Sequence, residues 1–262
     1  MSEKIVLNLH GKDGETQIEI DEEERPQLAK YIKKLRKDEE FSSYEIARAF
    51  QIFDRSKNLT REMFDFVVSE YKNEIANGNV DAMVDLGSLY YIGHGCEQDY
   101  TKAIYYYEMA ANLGSEEAVE NLGYCHYYGR NVRIDYKKAF HYFAIGAFNR
   151  RPISLYKIGD MYKNGYYVEK NLNEAFKIYQ QAYDLQDEDS LGPICLRLGR
   201  AYLNGEGIET DPKQALKFFQ LAEHYLYEML LDGNEMYFNS LKEAVDCQDL
   251  ARIRLSIILE SK

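Results

Sequence analysis

The chain has 262 residues, 45% of them apolar and 29% charged, and carries a formal net charge of −12. That composition belongs to a folded chain, not a disordered one. So acidic a balance argues against nucleic acid and anionic membrane as partners.

No apolar run approaches the roughly 20 residues a membrane-spanning helix needs, and the N-terminus lacks the apolar core of a signal peptide. Cys96, Cys125, Cys195 and Cys247 are widely spaced and form no C-x-x-C pair, which suits a reducing, cytoplasmic setting.

In residues 4–20, Ile5, Leu7 and Leu9 alternate with Val6, Asn8 and His10, and Ile18 and Ile20 alternate with Gln17 and Glu19. Asp13-Gly14 between the runs is a hairpin turn signal. A lone hairpin is marginal in water, so its apolar face is expected to lie on the first helices as a lid. The alternative is an open strand edge that pairs with a second chain and drives self-association.

Pro26 opens a helix with Leu28, Tyr31, Ile32 and Leu35 on one face and Lys30, Lys33, Lys34 and Lys37 on the other, a solvated face balanced by the preceding acids. Two further helices are predicted at Ser43–Phe53 and Arg61–Ala76. Asp54 to Asp65 between them has the spacing of a calcium loop. Leu59 stands where that loop needs Gly, however, and its last ligand is Asp and not Glu. Thr60 as N-cap of the following helix is the better reading. Gly78 lies 36 residues before Gly114, so 43–78 reads as a degenerate repeat.

From there the chain repeats. Leu86-Gly87, Leu122-Gly123, Ile158-Gly159 and Leu198-Gly199 recur at spacings of 36, 36 and 40. Sixteen residues after each glycine stands an alanine (Ala103, Ala139, Ala175, Ala215), and twelve after it Asp99, Asp135, Asn171 or Asp211, a natural N-cap. Aromatics follow the alanines. A period of this length predicts antiparallel helix pairs that complete their core only by stacking. Gly93/Gly95 and Gly205/Gly207 close the turn within a unit. Asn131 and Tyr167 replace the second glycine in the middle units, and Tyr167 predicts a different turn there, because Tyr adopts positive φ poorly.

The A-x-x-x-L-G-x-x-Y-x-x-G-x-G start and D-Y-x-K-A-x-x-Y-Y-x-x-A-A end, most complete in residues 82–111, resemble the Sel-one-like repeat, a relative of the tetratricopeptide repeat. The resemblance covers about 81–226. It implies an all-α, right-handed α/α superhelical solenoid that acts as an adaptor or scaffold for protein complexes, in bacteria often in signalling or host interaction, and not an enzyme. A branch of the family staples each unit with a disulfide; here no unit has two cysteines. The expected organisation is an N-terminal hairpin and helical cap at 1–78, four repeats at 79–226 and a C-terminal helical cap at 227–262.

Repeat register sorts the reactive residues. His126 aligns with Tyr90, Tyr162 and Tyr202, so it reads as a packed ring. Cys96, Cys125 and Cys195 align with core hydrophobes in other units. His141 takes an exposed position, and His94 sits in a glycine turn. No metal-ligand spacing, phosphate loop or catalytic constellation survives, so no cofactor and no metal are expected.

Positions two before, one after and five after the marker glycine vary in chemistry while their neighbours stay apolar, so they are expected to be exposed on one stripe of the first helices. The predicted partner-binding residues are Asp85, Asn121, Tyr124, Tyr128, Lys157, Asp160, Arg197 and Arg200. The resemblance places such first helices on the concave surface. The two tyrosines are the expected anchors. Arg130, Arg133, Lys137, Lys138, Arg150 and Arg151 against the single acid Asp135 form a basic run in an acidic chain, a candidate contact for an acidic segment of a partner or a second copy.

The four-residue insertion around Gln186–Pro193 is expected to lengthen an inter-repeat loop, with Gly192-Pro193 restarting the helix. The last second helix runs on to Leu231, with a stop at Gly233, and two helices, Glu235–Val245 and Leu250–Glu260, close the array. The function expected is a protein-interaction scaffold that binds a peptide or domain in its groove. The alternative is an acidic immunity- or inhibitor-type regulator that blocks a basic effector.

Overall fold

The computed structural model describes residues 4–11, 14–35, 42–53, 59–231 and 234–260. Two compact units divide the chain, Met1–Asn121 and Leu122–Lys262.

In the first unit, β1 (Lys4–Gly11) and β2 (Gly14–Asp21) pair antiparallel, with Ile5 opposite Ile20 and Leu7 opposite Ile18. These four share one face and are buried, as the period-two alternation requires. The hairpin lies against α1 (Pro26–Leu35), α2 (Ser43–Ile52) and α3 (Arg61–Ala76), which makes it the expected lid. The Asp13 half of its turn signal, and Lys37, fall outside the described residues. Lys33 on the basic face of α1 pairs with Glu22 at 2.5 Å. Ser42 and Glu45 form a reciprocal capping box on α2. Thr60 caps α3 by accepting from the Met63 N–H. Residues 54–58 of the calcium-like spacing fall outside the described residues.

Helix pairs follow: α4 (Val80–Ile92) and α5 (Tyr100–Asn112), α6 (Glu116–Tyr128) and α7 (Tyr136–Phe148), α8 (Pro152–Asn164) and α9 (Leu172–Tyr183), α10 (Glu188–Asn204) and α11 (Pro212–Leu231). One clasp closes every pair. The backbone N–H of the N-cap residue donates to a carbonyl near the end of the preceding helix: Asp99 to Tyr90, Asp135 to His126, Asn171 to Tyr162 and Asp211 to Tyr202, all at 2.9–3.0 Å. The same four side chains then accept from N–H groups of the second helix, as an N-cap should. The turn needs positive φ at two places. Asn131 (53°) and Tyr167 (67°) keep the conformation that Gly95 and Gly207 have. The expectation of a different third turn is therefore corrected. The clasp holds Tyr167 in the left-handed region against a cost of about 1–2 kcal/mol, and its ring gains a contact with Phe140, 5.5 Å between centroids.

The marker glycines have a single cause. A Cβ on Gly87, Gly123, Gly159 or Gly199 would sit 2.5–2.7 Å from a ring carbon of Tyr107, Phe143, Tyr179 or Phe219, respectively. The second helix of each pair thus stands an aromatic ring on the bare backbone of the first. His126 is a packed ring as its register predicts: it stacks on Tyr142 at 5.7 Å and 12°, where Tyr90 stacks on Tyr106 and Tyr202 on Phe218.

Two expectations about the C-terminal half are overturned. The insertion before the fourth repeat builds no loop. α10 has 17 residues where α4, α6 and α8 have 13, so the insertion becomes one extra helical turn at its start. Pro193 lies inside that helix and gives up one backbone hydrogen bond. Gly192 passes close to the backbone and side chain of Leu226, which buries the added turn on α11. The two expected closing helices are one, α12 (Phe238–Glu260), preceded by a short 3-10 turn at Glu235–Tyr237. No Gly or Pro interrupts residues 238–260, and Ala244, Gln248 and Ala251 form a continuous buried stripe. α11 does run to Leu231; the Gly233 stop falls outside the described residues.

Candidate functional site

The first helices of the second unit converge on one polar cluster. It begins with a rule visible in every repeat. Where the residue after the marker glycine is a small acceptor, the ring on that glycine is a tyrosine. Ser88 and the Tyr107 hydroxyl are 3.1 Å apart, and the Tyr179 hydroxyl donates to Asp160 at 2.8 Å. Where that residue is Tyr124 or Arg200, the ring is Phe143 or Phe219, which has no hydroxyl to satisfy. Tyr179 was missed in the sequence, yet this Tyr–Phe alternation was the signal that could have found it.

Asp160 also receives Arg197 from the next repeat, Nε and Nη2 each at 2.6 Å in a bidentate pair. Its third nitrogen, Nη1, donates to the Pro193 carbonyl at 2.8 Å. The guanidinium lies over the Tyr156 ring, 4.4 Å from its centroid. Burial by itself would raise the Asp160 carboxyl, but Arg197 more than offsets it and holds the group below the usual carboxylate range.

Lys157 is enclosed by tyrosines. Its ammonium lies 4.9–5.0 Å from the ring centres of Tyr124, Tyr127 and Tyr128 and 5.6 Å from that of Tyr156. It donates to the Tyr128 hydroxyl at 2.8 Å and stands 4.0 Å from Asp160. Burial pushes this ammonium down to about 8, Asp160 opposes the shift and Arg197 reinforces it. Tyr124 and Tyr128 stack at 6.1 Å and 7°, and the Tyr124 and Tyr156 hydroxyls meet at 3.0 Å.

The expectation of an open stripe is therefore corrected in part. Lys157 and Asp160 are only 4% and 9% exposed, whereas Tyr128 is 47% exposed. Variation between repeats here reflects side chains that bond to one another, not free surface. Arg200 is engaged by Glu243 of α12 in a bidentate pair. In the first unit, Asp85 is half-buried and takes Tyr44 and Arg48, both at 3.0 Å, while Asn121 is half-buried.

The basic run is not one patch. Arg130, Arg133, Lys137 and Lys138 lie at the α6–α7 turn, where Arg133 and Lys138 border a shallow cleft beside His126. Arg150 and Arg151 lie at the other end of the 13-residue α7, about 20 Å away at the helical rise. Arg130 sits over the Tyr128 ring, 5.6 Å from its centroid.

Cys125 and Cys195 are buried, and burial pushes both thiols up to about 12. Cys96 is only half-buried, short of the core place its register predicts. His94 is buried and His141 exposed. Among the described residues no helix is long and apolar enough to cross a membrane.

Comparison with known proteins fits this architecture. The family described as Sel1 repeat matches at residues 80–115, 116–147, 152–187 and 195–223, a little over half of the chain. A Sel1 repeat protein from Oxalobacter formigenes is 24% identical over 81% of this chain and 86% of its own, with a TM-score of 0.57. c5321, a protective antigen of uropathogenic Escherichia coli with an SLR fold, is 22% identical over 89% of this chain, with a TM-score of 0.57; the match spans 52% of its own length. The immunity protein Pa5087 of Pseudomonas aeruginosa is 19% identical over 80% of each chain, with a TM-score of 0.48. No curated protein sequence matches significantly. The repeated segments match the family over more than half the length, and the solved structures share the α/α repeat solenoid: the chain belongs to the Sel1 repeat family.

Proposed function

We propose that this protein is a non-catalytic adaptor that binds a peptide or protein domain along the first-helix face of its second to fourth repeats. Sel1 repeat proteins are in general protein-interaction scaffolds. The observation that carries the site is Tyr128: a half-exposed aromatic ring, stacked on Tyr124 and fixed from behind by a buried ammonium. Rigid aromatic side chains with one polar end are favoured anchors at interfaces, since little entropy is lost when they bind. Lys157, Asp160 and Arg197 act as the support of this anchor and not as its contact surface. The helix pair α2/α3, with Tyr71 buried 36 residues before Tyr107, reads as a terminal, degenerate repeat that caps the array. Four free thiols support a reducing, cytoplasmic compartment.

The test is affinity capture by the full chain from native lysate, with Tyr128→Ala beside the wild type and thermal melts to exclude unfolding. Loss of a captured protein from the variant supports the reading; an unchanged set of partners overturns it. The second reading, an acidic inhibitor of a basic effector, is favoured by the net charge of −12. It requires binding that collapses as salt rises.

A further inference from the structure

The junctions of the first helices follow one rule. The residue after a marker glycine meets the residue two before the next marker: the Lys157 ammonium lies over the Tyr124 ring, and Asp160 pairs with Arg197. Arg200 and Glu243 extend the rule into α12, which puts Val245 at the marker place of a further unit. Burial agrees. Ala244, one before that place, is buried like Leu122, Ile158 and Leu198, and Gln248, three after it, is buried like His126. α12 is therefore built as the first helix of a fifth unit, packed on α11 and α10.

The other half of α12 is open. At about 100° per residue, Phe238, Val245, Leu250, Ile253 and Ile257 fall on the side opposite Ala244, Gln248 and Ala251. All of them but Val245 are more than half exposed. In the four complete units a ring from the second helix covers the marker place; in α12 that place is exposed. The end unit of a repeat array ordinarily turns a polar face to water, whereas this one turns the kind of surface that stacks on another unit. Half the circumference of a 23-residue helix offers about 600 Å². Two such faces in contact bury about 1,200 Å², the lower end of specific interfaces.

The occupant that fits is a second copy of this chain. α12 carries three bases, Lys242, Arg252 and Arg254, against four acids, Glu243, Asp246, Asp249 and Glu260. It thus contributes only −1 of the −12, and like faces meet with little repulsion of their own. The same balance sets it apart from a membrane-surface helix, whose polar face is rich in Lys and Arg. The start of the repeats offers no matching face, because the hairpin already lies on α2 and α3. That disfavours a head-to-tail filament and favours a contact closed about a two-fold axis. We propose that two copies associate tail to tail, with Leu250, Ile253 and Ile257 of each α12 packed on those of the other. This stands independently of the scaffold reading above.

Sedimentation velocity of the full chain over about 1–200 µM is the test, the range in which an interface this small forms. The wild type is expected to pass from the mass of one chain to that of two. It should do so more readily as salt rises, because screening weakens the repulsion between two acidic chains and leaves the apolar contact intact. Ile253→Glu and Ile257→Glu each raise the dissociation constant about a hundredfold: one buried Ile is worth roughly tenfold or more, and the two-fold places each substitution in the contact twice. Both residues are exposed, so the variants keep the fold. Phe148→Glu, at the exposed phenylalanine of α7, leaves the constant unchanged. Three results overturn the proposal: the mass of one chain throughout, undiminished association of both α12 variants (which would place the contact elsewhere, such as the hairpin edge), or an equal loss in Phe148→Glu. Flotation with vesicles of phosphatidylcholine and phosphatidylglycerol supplies the membrane arm. A wild type that floats without dimerising, and sinks as Ile253→Glu, overturns the proposal in favour of a lipid surface.

Discussion

Arg197 holds Asp160 across the junction of the third and fourth repeats through two parallel hydrogen bonds of 2.6 Å. Both groups are withdrawn from water, so each depends on the other. Removing one leaves a buried charge without its counterpart, a loss of about 3–5 kcal/mol. Asp160→Asn and Arg197→Met should each lower the unfolding free energy, measured by urea titration, by that scale. The double variant should lose less than the sum, with a coupling of at least about 1 kcal/mol. Additive losses would mean that the pair contributes no mutual stabilisation.

Gly199→Ala reverses the ordinary rule for helices. Alanine at an exposed glycine position gains about 1 kcal/mol. Here the new methyl meets the Phe219 ring at 2.6 Å, and overpacking costs about 1–3 kcal/mol. The expected outcome is net destabilisation, smaller in a Phe219→Leu background where the ring is gone. Thermal or urea unfolding of the four proteins measures it.

Lys157 gives the protein an alkaline signature. Burial lowers its ammonium to about 8 from the usual 10.5. Between those values the unfolded chain binds a proton that the folded chain does not, so stability rises with pH across that window. The contribution between pH 8 and 9.5 is at most about 1.4 kcal/mol per pH unit. The wild type minus Lys157→Met difference in unfolding free energy should climb over this range; a flat or falling difference would contradict the buried, caged ammonium.

The thiols divide by burial. At pH 8 a thiol reagent such as Ellman's should find at most two reactive cysteines in the native protein, Cys96 and Cys247, and four after denaturation. Cys125 and Cys195 are held as neutral thiols in the core. Rapid reaction of four thiols in the native state would contradict the core placement.

The fold was legible because its requirements are local and repeated. A glycine under a ring, an alanine where helices meet and an acid at an N-cap each leave a mark in a single unit. Tyr167 shows the limit of that logic: the backbone clasp imposes positive φ on a residue that disfavours it. The site was less legible. Asp160 and Arg197 look like two variable positions when each is compared with its own equivalents, and variability at a position does not distinguish exposure from a bonded pair. Their relation is an opposite charge placed one repeat apart at different register positions, which alignment within a register cannot display. The Glu243 partner of Arg200 lies outside the repeats altogether, so nothing in their pattern announces it. The single α12 replaces two expected helices because residues 245–250, the expected break, contain no Gly or Pro.

The extra turn at the start of α10 bears on how such arrays change length. Each added residue rotates the point where the chain enters a helix by about 100°, and four residues bring it round by about 400°, close to a whole revolution. The incoming strand of chain still arrives on the same side of the cylinder, about 6 Å further along it. Two residues would swing it by about 200° to the opposite side and force α9 to reach around the helix. Length variation at these junctions is therefore quantised by the helical pitch. Deleting four residues from the start of α10 should leave a folded array, whereas deleting two should not, and the cooperativity of urea unfolding would distinguish them.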